Sequence, residues 1–230
     1  MKTIGLLGGM SWESSSEYYR IINEMVSTRL GGLHSADCLM YSVDFAEIEE
    51  LQHQDRWEEL TDMMIAAVQR IEKGGAEILL ICTNTMHRMA SEVQAAISIP
   101  LLHIADAAGD AILARGLDAV GLLGTRFTME GDFYRQRLEE QYGLRVLIPD
   151  EPDREVIHRV IYEELVKGRI REGSRDAFIE IIGKLQERGA QGVVLGCTEI
   201  PLLVRQTDVP IPVFDTARIH AEAAVDWALN

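Results

Sequence analysis

Short runs of unbroken apolar residues alternate along this chain with longer stretches in which apolar residues recur every three or four positions. "TIGLLGG" (3–9) predicts a strand and "SWESSSEYYRIINEMVSTRLGG" (11–32) a helix, with Ser11 as its cap and Glu13 and Glu17 near its positive end. "DCLMYSVD" (37–44) predicts the next strand, and "RWEELTDMMIAAVQRIEKGG" (56–75) a helix ended by Gly74 and Gly75. "EILLICT" is apolar throughout, as a parallel strand covered on both faces must be. This alternation predicts an α/β protein with parallel sheets flanked by helices.

The plan then repeats. "TIGLLGGMS" (3–11) resembles "AVGLLGTRFTM" (119–129), "KGGAEILLICTNT" (73–85) resembles "ERGAQGVVLGCTE" (187–199), and "IPLLHIADA" (99–107) resembles "VPIPVFDTA" (209–217). Gly5 to Gly121 spans 121 − 5 = 116 residues, Gly75 to Gly189 spans 189 − 75 = 114, and Pro100 to Pro212 spans 212 − 100 = 112. Such an internal duplication predicts two pseudo-symmetric α/β units with no long linker. The expected boundaries are 1–106 and 107–212, with the tail 213–230 returning to the first unit. A ligand is expected in the cleft between the units, at the carboxyl ends of the strands.

The repeat bears on two cysteines. With Gly75-Ala76 aligned to Gly189-Ala190, Cys197 matches residue 197 − 114 = 83, which is Thr83 and not Cys82. Pairing Cys82 with Cys197 instead needs an extra residue inside a strand, which would turn its side chains to the opposite face. The ungapped register is preferred. It makes Thr83 and Cys197 equivalent and leaves Cys82 facing the other way, as a small core residue like Cys38. Asn84, Thr85, Thr198 and Glu199 are polar residues following apolar strands. A strand-to-helix turn offers N–H groups to an anion and is expected to lower the pKa of Cys197. "GGMS" (8–11) and "GTRFT" (124–128) form corresponding loops where glycine permits close approach to a ligand. The competing readings are plain ones: helix caps for Asn84 and Thr85, turn-shaping for the glycines, and scattered structural or exposed roles for His87, His103 and His220.

Composition narrows the classes. The chain has 230 residues, 47% of them hydrophobic, enough for a substantial core. Its formal charge of −15 argues against a nucleic-acid or anionic-membrane surface, while leaving room for a small anionic ligand. Three cysteines without metal-ligand spacing imply reduced thiols and no metal site. The N-terminus "MKTIGLLGGMSW" lacks a secretory signal pattern and no run reaches membrane-spanning length, so a cytoplasmic protein is expected. "GLLGGM" falls short of the full dinucleotide-binding pattern, so a nucleotide site is the weaker reading.

Across nearly its whole length the sequence resembles the aspartate/glutamate racemase family. The resemblance rests on "GLLGGMSWESSSEYY", "CTNTMH", "LLGTRFTMEGDFY", "IYEELVKG" and "GCTEIPLL", and it is closest to the bacterial branch that includes an L-aspartate/glutamate-specific enzyme. It implies racemisation of a small acidic amino acid without pyridoxal phosphate or another cofactor, and a homodimer. In this family two cysteines work on opposite faces of the α-carbon as general base and general acid. Here the first position departs: Thr83 stands directly before Asn84-Thr85, where the family has cysteine. A threonine hydroxyl can donate or relay a proton but is a poor base. The resemblance therefore implies a lopsided site, with Cys197 taking the α-proton, Thr83 serving the other face, and the L form as the better substrate. It also implies that Met10, Gln52, Asn84, Thr85, Thr198 and Glu199 surround the substrate. Ser11 and Thr125 are further donors in the matching loops. Lys167, with Glu164 one turn earlier, is the cation expected for the side-chain carboxylate. Two alternatives remain open at this stage: a single-cysteine decarboxylase or isomerase of the same superfamily, and a non-catalytic module that binds dicarboxylate amino acids.

Overall fold

The computed structural model describes residues 1–230 and divides into two compact units. The first comprises Met1–Ile104 with His220–Asn230, and the second Ala105–Ile219.

In the first unit the order is β1 (Ile4–Gly8), α1 (Trp12–Leu30), β2 (Cys38–Ser42), α2 (Phe45–His53), α3 (Trp57–Lys73) and β3 (Ile78–Ile81), followed by a 3-10 turn at Thr85–Met89 and α4 (Ala90–Ala95). The strands pair in parallel in the order β2-β1-β3. A single parallel bridge from Leu79 to Leu101 stands in a fourth position. Every residue of β1 and β3 is buried, which accounts for their unbroken apolar sequence. Helix α3 buries Leu60, Met64, Ala67, Val68 and Ile71, one face at helical spacing.

In the second unit α5 (Ile104–Leu113) leads into β4 (Ala119–Gly124), α6 (Arg126–Glu130), α7 (Asp132–Tyr142), β5 (Arg145–Leu147), α8 (Glu151–Glu163), α9 (Glu172–Glu187), β6 (Gly192–Gly196), α10 (Ile200–Leu203), β7 (Val213–Asp215) and α11 (Thr216–Leu229). The four strands are parallel in the order β5-β4-β6-β7. One expected boundary is corrected here. The tail from residue 213 was assigned to the first unit, yet Val213–Asp215 hydrogen-bonds alongside β6, so strand pairing keeps it in the second. The division falls inside α11, at His220.

The duplication is visible inside each unit. Leu7 pairs with Ile81 in the first sheet, and Leu123 with Leu195 in the second. These registers correspond through offsets of 123 − 7 = 116 and 195 − 81 = 114, the spacings of the sequence repeat. Gly75 and Gly189 both adopt positive φ, 101° and 99°, where the chain turns from a helix toward a strand. Gly5 and Gly121 each lie under a helix: an added Cβ would run into Ile71 of α3 in one unit and meet Leu185 Cδ1 of α9 at 2.9 Å in the other. Glycine at both places lets helix and sheet approach closely.

Candidate active site

The first unit gathers polar residues where β1 and β3 end. Ser11 caps α1, accepting from Ser14 N at 3.4 Å, and Ser15 Oγ accepts from Gly9 N at 2.7 Å and donates to Ser11 O at 2.8 Å. Ser14 Oγ donates to Ser11 O at 3.0 Å and to Cys82 O at 3.4 Å, which ties the Gly8–Ser11 loop to the end of β3. Cys82 still belongs to the ladder, since its N–H donates to Leu7 O at 2.9 Å, and its side chain is fully buried. Thr83 is the first residue beyond, and it is partly exposed. Asn84 and Thr85 follow, both buried, at the start of the 3-10 turn. Gln52, on α2, reaches this turn by donating from Nε2 to Met86 Sδ at 3.2 Å, while its Oε1 is buried without a hydrogen-bond partner. Met10 is buried and belongs to the apolar cluster that also contains Met86 and Ile81.

The second unit builds a matching turn with different chemistry. Thr125 caps α6 as Ser11 caps α1, accepting from Thr128 N at 3.3 Å. Gly124 pairs with Gly196, so Thr125 and Cys197 leave neighbouring strands at the same level. Cys197 Sγ donates to Glu199 Oε2 at 3.0 Å, and Thr198 Oγ1 donates to the same oxygen at 2.9 Å. Glu199 and Cys197 are buried, and Thr198 is partly exposed. The 3-10 turn Leu165–Lys167 packs against α10, directly after this segment. Glu164 is occupied by Ser174 Oγ at 2.7 Å and Arg171 Nη1 at 3.5 Å, whereas Lys167 is exposed.

The thiols depart from expectation in one respect. The turn after β6 was expected to lower the pKa of Cys197. It is instead raised well above 9.0, first by burial, then by the Glu199 charge and the hydrogen bond to it. Backbone N–H groups of Glu199 and Thr198 act in the opposite sense and are outweighed. Cys82 is pushed up by burial and by Cys38, and Cys38 up to about 11 by burial and Asp37. All three rest as thiols near neutral pH. Cys197 differs from the other two in having a carboxylate oxygen in hydrogen-bond contact.

Sequence reasoning missed two features. His87, His103 and His220 are not scattered: all three are buried, and the His87 ring lies 4.6 Å from His103 and 5.8 Å from His220, centroid to centroid. His158, on α8, accepts from Arg126 N at 3.2 Å beside the Thr125 cap. Histidines so far apart along the chain leave no local signal; the motif "CTNTMH" pointed only to the first.

The comparisons with known proteins agree with this architecture. The sequence profile described as Asp/Glu/Hydantoin racemase matches residues 7–224. A crystal structure of a candidate Asp/Glu racemase from Yersinia pestis is similar over 100% of both chains, with 53% identity and a TM-score of 0.94. An aspartate racemase homologue from Pyrococcus horikoshii OT3 is similar over 100% of both chains, with 36% identity and a TM-score of 0.88. The broad specificity amino-acid racemase RacX of Bacillus subtilis (strain 168) is 23% identical, over 98% of each chain. No helix is long and apolar enough to cross a membrane. The chain belongs to the Asp/Glu/hydantoin racemase family, and it is an amino-acid racemase.

Proposed function

We propose that the protein racemises aspartate or glutamate without a cofactor, that Cys197 removes the α-proton and that Thr83 serves the opposite face of the carbanion. The observation that carries this reading is the shared sheet register. Thr83 and Cys197 each stand two residues beyond a matching pair, Leu7–Ile81 and Leu123–Leu195, while Cys82 remains in the ladder and fully buried.

The resting thiol needs somewhere to send its proton. Glu199 Oε2, 3.0 Å from the sulfur, is the acceptor at hand. The proton passes to that carboxylate, the thiolate takes the α-hydrogen, and the electron pair of the C–H bond delocalises into the substrate carboxylate. Protonation on the other face comes from the Thr83 hydroxyl, which takes a proton from water in turn. The hydroxide left behind neutralises the protonated Glu199, so the cycle closes.

Binding follows the same economy of groups. The buried, unpartnered Gln52 Oε1 suits an ammonium donor, because an orphaned buried acceptor costs about 1–3 kcal/mol until it is paired. The polar Asn84-Thr85 and Thr198-Glu199 turns and the Ser11 and Thr125 caps complete the proposed substrate shell, beside Met10. Lys167 is the proposed cation for the side-chain carboxylate; Glu164, paired with Ser174 and Arg171, acts by holding the Lys167 turn. The proposed assembly is a cytoplasmic homodimer, as in the resembled family.

The test is α-hydrogen exchange and racemisation with both enantiomers of aspartate and glutamate in deuterium oxide. Saturating kcat is expected to differ between directions, with L the better substrate, while kcat/KM is equal, as equal enantiomer stabilities require. Absence of any exchange overturns the reading in favour of a decarboxylase, an alkene isomerase or a binding module.

A further inference from the structure

The turn that carries Thr83 hangs on one imidazole. His87 sits four residues further on, 2% exposed, and its Nδ1 lies 2.8 Å from Thr83 O. A carbonyl oxygen only accepts, so Nδ1 carries the hydrogen. On the other side of the ring, the backbone N–H of Ile104 donates to Nε2 at 3.2 Å. An amide N–H only donates, so Nε2 carries the lone pair. Two backbone groups of fixed polarity therefore select the neutral Nδ1–H tautomer.

The ring is held from behind as well. His103 meets it edge-on at 4.6 Å and His220 at 5.8 Å. His220 is itself fixed, with Nε2 donating to Leu102 O at 2.8 Å and Nδ1 2.9 Å from Tyr18 Oη. Leu102 and Ile104 flank His103 in the segment entering α5, so two histidines pin that segment by its backbone. The second unit has no counterpart. The 114-residue offset that matches Thr83 to Cys197 matches His87 to Pro201, which has no imidazole and no backbone N–H.

We propose that His87 is a positioning residue for proton delivery from Thr83: its Nδ1–H to Thr83 O sets the backbone from which the Thr83 hydroxyl is aimed. This rests on the Thr83 reading given above. Thr83 is held to the task by geometry alone, because a hydroxyl has no charge to guide it and misplacement by about 1 Å can cost 10²-fold in rate. Cys197 needs no such brace, since its acceptor is built into its own turn.

The experiment separates the two faces. Racemisation needs both proton removal and redelivery. Chloride elimination from a 3-chloro analogue of aspartate needs removal only: the Cα–H pair forms the double bond, the C–Cl bond breaks and chloride leaves. Asparagine can place an amide N–H where His87 Nδ1 lies, and glutamine can place an acceptor where Nε2 lies. His87→Gln is expected to lower racemisation by about tenfold or more while elimination from the enantiomer handled by Cys197 stays within about threefold. His87→Asn is expected to keep racemisation within about threefold of wild type. In the unaltered protein, NMR of isotope-labelled imidazole nitrogens should show a bonded hydrogen on His87 Nδ1 and none on Nε2. Equal loss of both reactions in His87→Gln, or a hydrogen on Nε2, overturns the inference and leaves the Thr83 reading intact. Thr83→Ala that spares racemisation removes the reading itself, and the role of His87 with it.

Discussion

The turns after β3 and β6 occupy the same place in two sheets of matching register, yet they are furnished oppositely. After β3 the first position beyond the ladder is a partly exposed hydroxyl, Thr83, and its backbone is secured by a neutral histidine from below. After β6 it is a thiol, Cys197, with a carboxylate against the sulfur and no histidine. A duplicated fold thus supplies equivalent positions, and the residues two and four places further on decide what each can do. Thr85 matches Glu199 and His87 matches Pro201 under the same offset. On the reading proposed above, the first turn aims a weak acid and the second sets a proton acceptor against the sulfur.

That contrast can be broken at several points. Cys197→Ser should reduce racemisation of aspartate or glutamate by about 10³-fold or more, since it removes the proposed base. Glu199→Gln should cost about 10²-fold near neutral pH, because the thiol proton then lacks its acceptor. The pH profile gives the sign. Burial, the Glu199 charge and its hydrogen bond all raise the Cys197 pKa, so kcat/KM should climb with pH from neutrality through 9.0 as the thiolate fraction grows. In Glu199→Gln the charge disappears while an amide oxygen can still accept the S–H, and the residual profile should shift to lower pH. Higher activity than wild type at neutral pH in that variant would mean that Glu199 only burdens the sulfur and does not take its proton.

A smaller change sharpens the comparison from the other side. Thr83→Cys gives the first turn a group that can act as acid or base, and the saturating rates in the two directions should come within about threefold of each other, measured by polarimetry. Gly75→Ala and Gly189→Ala should each destabilise the protein by about 1–2 kcal/mol in chemical denaturation, since both positions need positive φ. A similar cost at both would match their equivalence.

Much of this was legible in the sequence, for physical reasons that also mark where legibility stopped. β1, β3, β4 and β6 are covered on both faces, so their apolar runs are unbroken and the two α/β units could be read directly. Strand β5 has three residues, one of them buried, too short for any period to show. Helix α2 buries only Ile48 and Gln52, which leaves no apolar stripe. The register that sets Thr83 against Cys197 followed from glycine spacing, because Gly75 and Gly189 answer to the same backbone requirement. The pKa direction at Cys197 did not follow: turn amides favour the thiolate, but burial and the Glu199 carboxylate outweigh them, and neither the depth of burial nor the contact of Glu199 with the sulfur is visible before the chain is folded. The histidine cluster was out of reach for the same reason, assembled from residues 87, 103 and 220 by tertiary packing.

The central claim is that the first turn works through residue 83 and not through the cysteine beside it. Racemisation of glutamate and aspartate by Thr83→Ala and Cys82→Ala, compared side by side with the unaltered protein, addresses it most directly. Loss of about 10²-fold or more in Thr83→Ala with little change in Cys82→Ala is the result expected. Full activity in Thr83→Ala together with an inactive but folded Cys82→Ala would contradict the account.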